Sequence, residues 1–421
     1  MTLGLIILAG VLAGGLYMAW GIGANDVANA MGTSVGSGAL TLLGAIIIAG
    51  VLEFSGAVLI GSNVTETISK GIIDTAMFDV TGPWGEDGPL LLAIGMLCAL
   101  IAAAGWLHTA THLGLPVSTT HSIVGAVLGI GLVSFGISGV DWGTMLQIMA
   151  SWVISPLLGG LLAFLSFFAI RRYILSAPDT VAATIRMSPW IVGVVVMLLV
   201  LAFIYKVLAN RIDAPPIVLA FATASGAGLV AAVLASALTR NMVPAPGMSP
   251  YQFVERVFAL LQIATACFVA FAHGANDVAN AIGPVAAVVS LYQVGFASVP
   301  AVVSVPLWVL VLGGGGIVIG LATLGYKVIA TIGSQITEIT PTRGFSAEFG
   351  AAATVLLASS LGLPVSTTHT LVGAVIGVGF ARGIGALNLR IIRNIVNSWI
   401  ATVPVAGCAA ALLFVIARIF V

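Results

Sequence analysis

The sequence predicts an all-α polytopic membrane protein with about twelve transmembrane segments, in two inverted-topology repeats with discontinuous or re-entrant helices at the centre. The prediction depends on scarce charge, long apolar runs and sequence blocks that occur twice. Hydrophobic residues make up 60% of the 421 residues and charged residues 7%, whereas soluble domains carry about 25% charged residues. A surface with so few charges is suited to lipid rather than to water.

The apolar runs have the length that a membrane helix requires, which is about 20 residues. Two of them, at 347–361 and 369–381, are shorter and flank a Pro/Ser/Thr interruption. The runs are continuously apolar, unlike the alternating segments of a β-barrel. We therefore predict helices near 3–20, 38–62, 89–111, 121–140, 144–170, 189–209, 214–238, 254–272, 297–325, 347–361, 369–381 and 395–420.

Four sequence blocks occur twice in the same order, at offsets of 247 to 251 residues. GANDVANA stands at 23–30 and 274–281, and GLPVSTTH at 114–121 and 362–369. VGAV and a Ser-Trp pair follow each GLPVSTTH block. Such order and spacing indicate a tandem duplication. We expect a first repeat at 1–172, a connection with a two-helix insert (about 189–238) at 173–253, and a second repeat at 254–421.

Equivalent loops of the two repeats carry opposite charge. The loop 63–88 is mainly acidic, whereas its counterpart 326–346 contains Lys327 and Arg343. Because cytoplasmic loops accumulate Lys and Arg, the repeats are expected to have inverted topology. This orientation predicts a multi-pass protein of the plasma or inner membrane with both termini extracytoplasmic. The first run is expected to be a retained helix, since no basic residue precedes Lys70.

The GANDVANA blocks are candidate sites for a cation. A carboxylate in or at the edge of hydrocarbon is costly, so such residues are retained where they bind something. We expect the blocks at helix ends, where amide oxygens and freed backbone carbonyls would join the carboxylates around Na⁺, or a protonatable Asp would serve H⁺ coupling. The alternative is a structural role, in which these amides and carboxylates cap helix ends or join the two halves. The candidates are Asn25, Asp26, Asn29, Asn276, Asp277 and Asn280, with Na⁺ at Asp26 and Asp277.

The PVSTTH blocks are candidate sites for an anion. A proline interrupts the preceding helix, and three hydroxyl residues then precede an apolar helix. One hydroxyl could serve only as a helix N-cap. Three hydroxyls in both of two inverted copies, beside free helix N-terminal amides, favour anion binding at mid-membrane. The candidates are Ser118, Thr119, Thr120, Ser366, Thr367 and Thr368.

Neither block contains a Lys or an Arg. An anion held beside Asp26 and Asp277 at low dielectric would be repelled unless cations bound with it. The electrostatics therefore predict obligatory symport.

Other ionisable residues are secondary candidates. His121 and His369 close the hydroxyl clusters, and Glu53 and Glu348 lie in or near apolar runs; either histidine could instead bond a backbone carbonyl. His108 and His112 are four residues apart but have no counterparts in the second repeat, so we interpret them as structural. His273 aligns with Ile22 and ranks lower still.

At these motifs the chain resembles the PiT family of inorganic phosphate transporters, over nearly its full length. The resemblance implies a cation-coupled phosphate symporter, in which Asp26 and Asp277 are coupling-ion residues and the Ser/Thr triplets hold phosphate. It leaves Na⁺ and H⁺ coupling open, as well as transport of metal–phosphate complexes. The central connection here is short, so a large regulatory loop found in some members is missing.

Several other readings remain at this point. A transporter for another oxyanion such as sulfate would use similar groups. A passive anion channel would need no paired carboxylates, and an enzyme would need an asymmetric set of groups, so both are disfavoured. The balance of fourteen basic and fourteen acidic residues disfavours a nucleic-acid partner. We expect phosphate, a co-transported cation and the lipid bilayer as partners and no cofactor, with homodimer formation left open.

Overall fold

The computed structural model describes residues 2–61, 71–204, 216–300, 303–360 and 365–420, and these residues form twelve α-helices and no β-strand. Short 3₁₀ or π turns extend several helices, notably 171–175 and 331–335. The helices are α1 Thr2–Gly36, α2 Leu42–Ile60, α3 Gly88–His112, α4 Thr119–Phe135, α5 Trp142–Ile170, α6 Thr180–Phe203, α7 Ile217–Thr239, α8 Pro250–Gln293, α9 Leu307–Ala330, α10 Pro341–Ser360, α11 Thr367–Arg382 and α12 Leu389–Ala417.

Among the described residues, ten helices are long and apolar enough to cross a membrane. The two that are not, α10 and α11, correspond to the short runs at 347–361 and 369–381. Large hydrophobic side chains remain exposed along many of the helices, as expected where lipid replaces water. The predicted all-α polytopic class is confirmed.

The equivalent helices α1 and α8 run antiparallel, as inverted repeats require. Gly4 packs against Phe296 and Gly15 against Val285 near the start of α1. Towards the other end, Oγ of Ser37 donates to Oε1 of Gln262 at 2.7 Å. Position numbers therefore rise from Gly4 to Ser37 while those of their contacts in and just after α8 fall, and the GANDVANA blocks meet at the crossing.

Helices of the two repeats also pack against each other. The helix α4 of the first repeat packs on α12 of the second, and α11 of the second packs on α5 of the first. Glycines allow the backbones to approach closely. Gly129 faces Gly407 between α4 and α12, and the equivalent Gly377 faces Gly160 between α11 and α5. Each of these contacts thus has an equivalent in which the two repeats take opposite roles.

Each hydroxyl cluster stands at the start of a helix, and the first follows a described break in the chain. Gly114 adopts φ +66°, a left-handed conformation suited to glycine, and ends the turn after α3. The first break spans residues 113–118, so α3 and α4 form a hairpin. The predicted second break, including Pro364, lies at 361–364, outside the described residues.

The charges divide the molecule into two faces. One, called here the basic face, contains the segments 37–41, 171–179, 240–249, 331–340 and 383–388. On it, Arg343 and Arg382 donate to Glu338, and the hydrogen bond from Arg343 is the main reason that the pKa of Glu338 lies below its ordinary value. Basic residues in or near this face are Arg171, Arg172, Arg186, Arg240, Arg256, Lys327, Arg343, Arg382, Arg390 and Arg393.

The opposite face, called the acidic face, contains 71–87, 136–141 and 294–300. There Oδ1 of Asp79 accepts a hydrogen bond from the backbone N–H of Val299 at 2.9 Å. Among the described basic residues, Arg418 alone lies on this side. Equivalent loops of the two repeats therefore lie on opposite faces of the molecule, and their predicted difference in charge appears as a basic face and an acidic face.

We predict that Gly377→Ala destabilises the protein, because the added Cβ would clash with the carbonyl oxygen of Gly160. Overpacking of this kind costs about 1–3 kcal/mol, measurable as a lower thermal unfolding midpoint in detergent. Gly226→Ala is the matched control, since a Cβ on Gly226 meets open space on α7. Equal midpoints for the two variants would contradict the packing described here.

Candidate functional site

The two GANDVANA blocks lie inside unbroken helices, α1 and α8, rather than at helix ends. The expectation of freed backbone carbonyls at these blocks is therefore wrong. The physical reason is that tertiary partners hydrogen-bond the polar side chains, so the helix backbone need not open. The described break in the central region, at 113–118, belongs to the first PVSTTH block instead.

Asp26 and Asp277 share a buried histidine. Nε2 of His273 lies 3.0 Å from Oδ2 of Asp277 and 3.6 Å from Oδ2 of Asp26. Its Nδ1 lies 3.2 Å from Oε1 of Glu53. One ligand atom from each of Asp26, His273 and Asp277 falls within 4.8 Å of the others, a spacing at which the three could hold a metal ion. All four side chains are buried.

Sequence reasoning missed the central place of His273. Its alignment with Ile22 suggested a residue outside the paired site. Two signals could have found it: it immediately precedes the second GANDVANA block, and it stands four residues before Asp277, which puts both on one face of a helix. Glu53, a secondary candidate, joins the site through His273.

Threonines from both hydroxyl clusters bond the two carboxylates. Thr119 donates to Oδ2 of Asp26 at 2.7 Å, and Thr368 donates to Oδ1 of the same residue at 3.3 Å. Thr367 donates to Oδ2 of Asp277 at 3.2 Å. The predicted cation and anion candidates therefore meet in one buried site.

The asparagines divide into two pairs by role. Asn29 donates to Oγ1 of Thr368 at 2.9 Å, and its equivalent Asn280 donates to Oγ1 of Thr120 at 3.1 Å. Each thus links its own repeat to the hydroxyl cluster of the other.

The side chains of Asn25 and Asn276 form hydrogen bonds within their own repeats. Oδ1 of Asn25 accepts from the backbone N–H of Val117 at 3.0 Å, and Nδ2 donates to the carbonyl oxygen of Leu115 at 3.0 Å. Asn25 thereby holds the loop that precedes Thr119. Nδ2 of Asn276 donates to Oδ1 of Asp277 at 2.7 Å.

The serine of each triplet is an N-cap. Oγ of Ser118 accepts the backbone N–H of His121, and Oγ of Ser366 accepts that of His369, both at 3.2 Å. The ordinary capping role considered for one hydroxyl thus belongs to the first residue of each cluster. The threonines that follow remain directed at the carboxylates and asparagines.

His121 and His369 face each other behind the hydroxyl clusters. Their ring centroids are 4.3 Å apart, and each ring lies 3.8 Å from a tryptophan, Trp152 and Trp399 respectively. The repeated Ser-Trp pair thus supplies ring contacts for the repeated histidines. The two imidazoles join the repeats at the start of α4 and α11.

Glu348 forms a separate buried cluster. Its carboxylate accepts hydrogen bonds from Thr33 at 2.6 Å, Ser34 at 2.8 Å, Thr265 at 2.5 Å and Gln262 at 3.2 Å. Thr33 lies about two helical turns beyond Asp26 along α1. Glu348 is therefore not part of the central site.

His108 and His112 also lie apart from the site. Nδ1 of His108 is 3.0 Å from the hydroxyl of Tyr17, and Nδ1 of His112 is 3.1 Å from Nζ of Lys327. Each ring therefore has its own partner, in keeping with the structural interpretation of the pair.

A largely apolar cavity of about 380 Å³ reaches the site. Its polar lining residues are Asn29, His273 and Thr367. The remaining walls include Ile60, at the end of α2, and Phe203, at the end of α6. These helix ends point to the acidic face, so the cavity extends from the site in that direction.

Comparisons with known proteins agree with this architecture. The model of the phosphate transporter family matches residues 22–410. A relative from Pyrococcus abyssi, provisionally named a phosphate permease, is 49% identical over 400 residues, which is 95% of each chain. The chloroplastic inorganic phosphate transporter 2-1 of Arabidopsis thaliana is 46% identical over 422 residues, covering 94% of this chain and 70% of the relative.

A solved structure of a sodium-dependent phosphate transporter has the same fold. It superposes with a TM-score of 0.88 at 43% sequence identity and covers 99% of this chain and 100% of that one. These relatives are transporters and not enzymes, as the sequence indicated. The chain belongs to the phosphate transporter family.

Proposed function

We propose that the protein imports inorganic phosphate by symport with a cation, Na⁺ being favoured, through alternating access. The observation that supports the proposal most strongly is the convergence of Thr119, Thr367 and Thr368 on the buried carboxylates of Asp26 and Asp277. Donors suited to an oxyanion and carboxylates suited to a cation thus occupy one site.

Charge balance supports coupling. Two unit charges 4 Å apart interact by about 4 kcal/mol at an effective dielectric constant of 20. A phosphate beside both carboxylates therefore requires positive charge, and neither GANDVANA nor PVSTTH supplies a Lys or an Arg. Cations held by Asp26 and Asp277 would supply it. In this proposal the threonines Thr119, Thr120, Thr367 and Thr368 donate to phosphate, while Ser118 and Ser366 hold the helix ends.

His273 favours a second candidate, in which H⁺ is the coupling ion. Its ring nitrogens lie within 3.6 Å of Asp26, Glu53 and Asp277. A proton on this imidazole would offset the same negative charge that Na⁺ would. Transport of a metal–phosphate complex is a variant of the same scheme, with the metal at the carboxylates.

Alternating access is supported by the twofold pattern of contacts. Asn29 with Thr368 and Asn280 with Thr120 are equivalent links across the repeats. Exchange of the conformations of two inverted repeats would turn an opening on one face into an opening on the other. In this proposal α1–α5 belong to the repeat 1–172, α6 and α7 to the connection 173–253, and α8–α12 to the repeat 254–421. The helix α8 begins at Pro250, four residues before the predicted start of the second repeat.

The two faces support an orientation in the cell. Cytoplasmic segments are enriched in Lys and Arg, so the basic face is proposed to be cytoplasmic. The described chain starts and ends on the acidic face, so we propose that both termini lie outside the cytoplasm of a plasma or inner membrane. Import then runs from the acidic face to the basic face.

Labelled phosphate uptake into proteoliposomes, with Na⁺ and pH gradients imposed separately, tests the coupling ion. We expect an inward Na⁺ gradient at equal pH to drive accumulation, and a pH gradient without Na⁺ to drive little. The reverse result would select the H⁺ scheme. Uptake that follows neither gradient would contradict symport, and stronger inhibition by sulfate than by arsenate would contradict phosphate as the substrate.

Asp26→Asn should reduce coupled uptake to below roughly a tenth of the wild-type rate, a loss of more than about 1.4 kcal/mol. The reason is that the amide removes the charge that holds the cation. Asp141→Asn makes the same chemical change at an exposed helix cap of α5, where asparagine also caps well. Wild-type uptake by Asp26→Asn would refute the assignment.

Thr119→Val and Thr367→Val should raise the phosphate KM roughly tenfold, because each variant loses a hydrogen bond to a charged group. The KM for the coupling cation should rise less. Thr223→Val is the control, because among the described residues the Thr223 hydroxyl donates only to a carbonyl of its own helix, that of Leu219. Equal effects on both KM values would show that these threonines do not discriminate between the ions.

A further inference from the structure

A second cavity, of about 320 Å³, lies where the ends of α3 and α9 meet the start of α12. Its polar lining consists of His112, Lys327, Thr331, Gln335 and Asn394. None of the described residues that line it is acidic. The cavity thus combines one fixed positive charge with hydroxyl and amide donors, which are the groups that bind oxyanions.

Lys327 lies within the membrane-spanning segment Leu307–Gly333. Charged side chains in such segments pair with each other or face water-filled cavities. Nζ of Lys327 is 3.1 Å from Nδ1 of His112, and in the described part of the chain it forms no salt bridge with a carboxylate. A cation near the C-terminal end of α9 also interacts favourably with the helix dipole. This interaction does not explain why a polar cavity surrounds Lys327.

The cavity backs directly on to the central site. Oγ1 of Thr331 donates to the carbonyl oxygen of Gly114 at 2.7 Å. The next residue, Leu115, lines the cavity and accepts a hydrogen bond from Asn25. The same loop continues into Thr119, so a single loop separates the cavity from the hydroxyls of the site.

The lining of this cavity differs from that of the apolar cavity on the other side of the site. The apolar cavity towards the acidic face contains His273 but no Lys or Arg in its lining. Lys327 stands two residues after Gly325, which packs against Val27 of the first GANDVANA block. The backbone of Lys327 therefore lies about one helical turn from the level of Asp26, towards the basic face.

We propose that this cavity is a second phosphate subsite, which holds the oxyanion without a co-bound cation between the central site and the basic face. The inference rests on the proposed function of the central site. A phosphate that separates from its coupling cations loses their charge compensation, and the Lys327 ammonium replaces it. Thr331, Gln335 and Asn394 supply neutral donors. A phospholipid headgroup offers the same phosphate chemistry, and the experiment separates the two sources.

The test is binding of labelled inorganic phosphate to protein in nanodiscs of phosphatidylcholine, with choline in place of Na⁺. We expect weak binding by the wild type and by Asp26→Asn, and binding at least about tenfold weaker by Lys327→Gln. Arg186→Gln is the matched control, because Arg186 is a basic residue near the same face that lines a different cavity. It should bind phosphate as the wild type does.

Added Na⁺ should produce tight binding in the wild type and in Lys327→Gln but not in Asp26→Asn. This retained binding also shows that Lys327→Gln is folded. Equal binding in choline by the wild type and Lys327→Gln would overturn the inference while leaving the central site intact. Absence of Na⁺-dependent binding in every protein would instead overturn the proposed function.

Two further outcomes would also overturn the inference. An equal loss in Arg186→Gln would show general attraction to the basic face. If phosphatidylglycerol in the nanodiscs abolished phosphate binding in choline, and Lys327→Gln lost its preference for that lipid, the cavity would be a headgroup site. We expect phosphatidylglycerol to leave the binding of free phosphate largely unchanged.

Discussion

The structure depends on keeping two carboxylates together in a region of low dielectric constant. Asp26 and Asp277 meet where α1 and α8 cross, with His273 between them and threonine hydroxyls donating to both. Buried charges persist only when partners compensate them. The hydroxyls solvate the carboxylates, but they add no positive charge. A proton or a metal cation would therefore stabilise the site, and in the proposed function this requirement links a negatively charged cargo to its coupling ion.

The twofold arrangement is what makes such a site possible. Neither repeat supplies it alone, since Thr119 of the first bonds Asp26, while Thr368 of the second bonds the same carboxylate. Glycine pairs such as Gly377 with Gly160 bring helices of the two repeats close enough for these bonds. The His121–His369 contact joins the starts of α4 and α11 next to the site. Packing and chemistry thus follow the same symmetry.

Much of this arrangement was accessible from sequence because it is repeated. Duplicated blocks identified Asp26, Asp277 and the threonines, and opposite loop charges indicated inverted repeats. Repetition could not identify site residues that have no equivalent in the other repeat. His273 has Ile22 as its counterpart, and its importance follows only from the helix crossing that brings Asp26 and Glu53 to it. Glu53 and Glu348 looked alike in sequence, but different helix contacts put one in the central site and the other among hydroxyls of α1 and α8.

Local chemistry also limited the sequence analysis. A polar block in an apolar helix can open the backbone or find tertiary partners, and only packing decides between them; in α1 and α8 it favours the unbroken helix. Similarly, a Ser-Thr-Thr cluster does not reveal which hydroxyl becomes the cap. The structure assigns this role to Ser118 and Ser366, which leaves the threonines for the site.

The central claim is that cations, rather than Lys or Arg, compensate the charge of phosphate at the Asp26–Asp277 site. Its most direct test is the phosphate dissociation constant of that site, measured by equilibrium binding as the Na⁺ concentration is varied at fixed pH and as the pH is varied at fixed Na⁺. Linkage requires phosphate to bind more tightly as Na⁺ rises, and Na⁺ to bind more tightly by the same factor when phosphate is present. A dissociation constant that changes with neither Na⁺ nor pH would contradict the account.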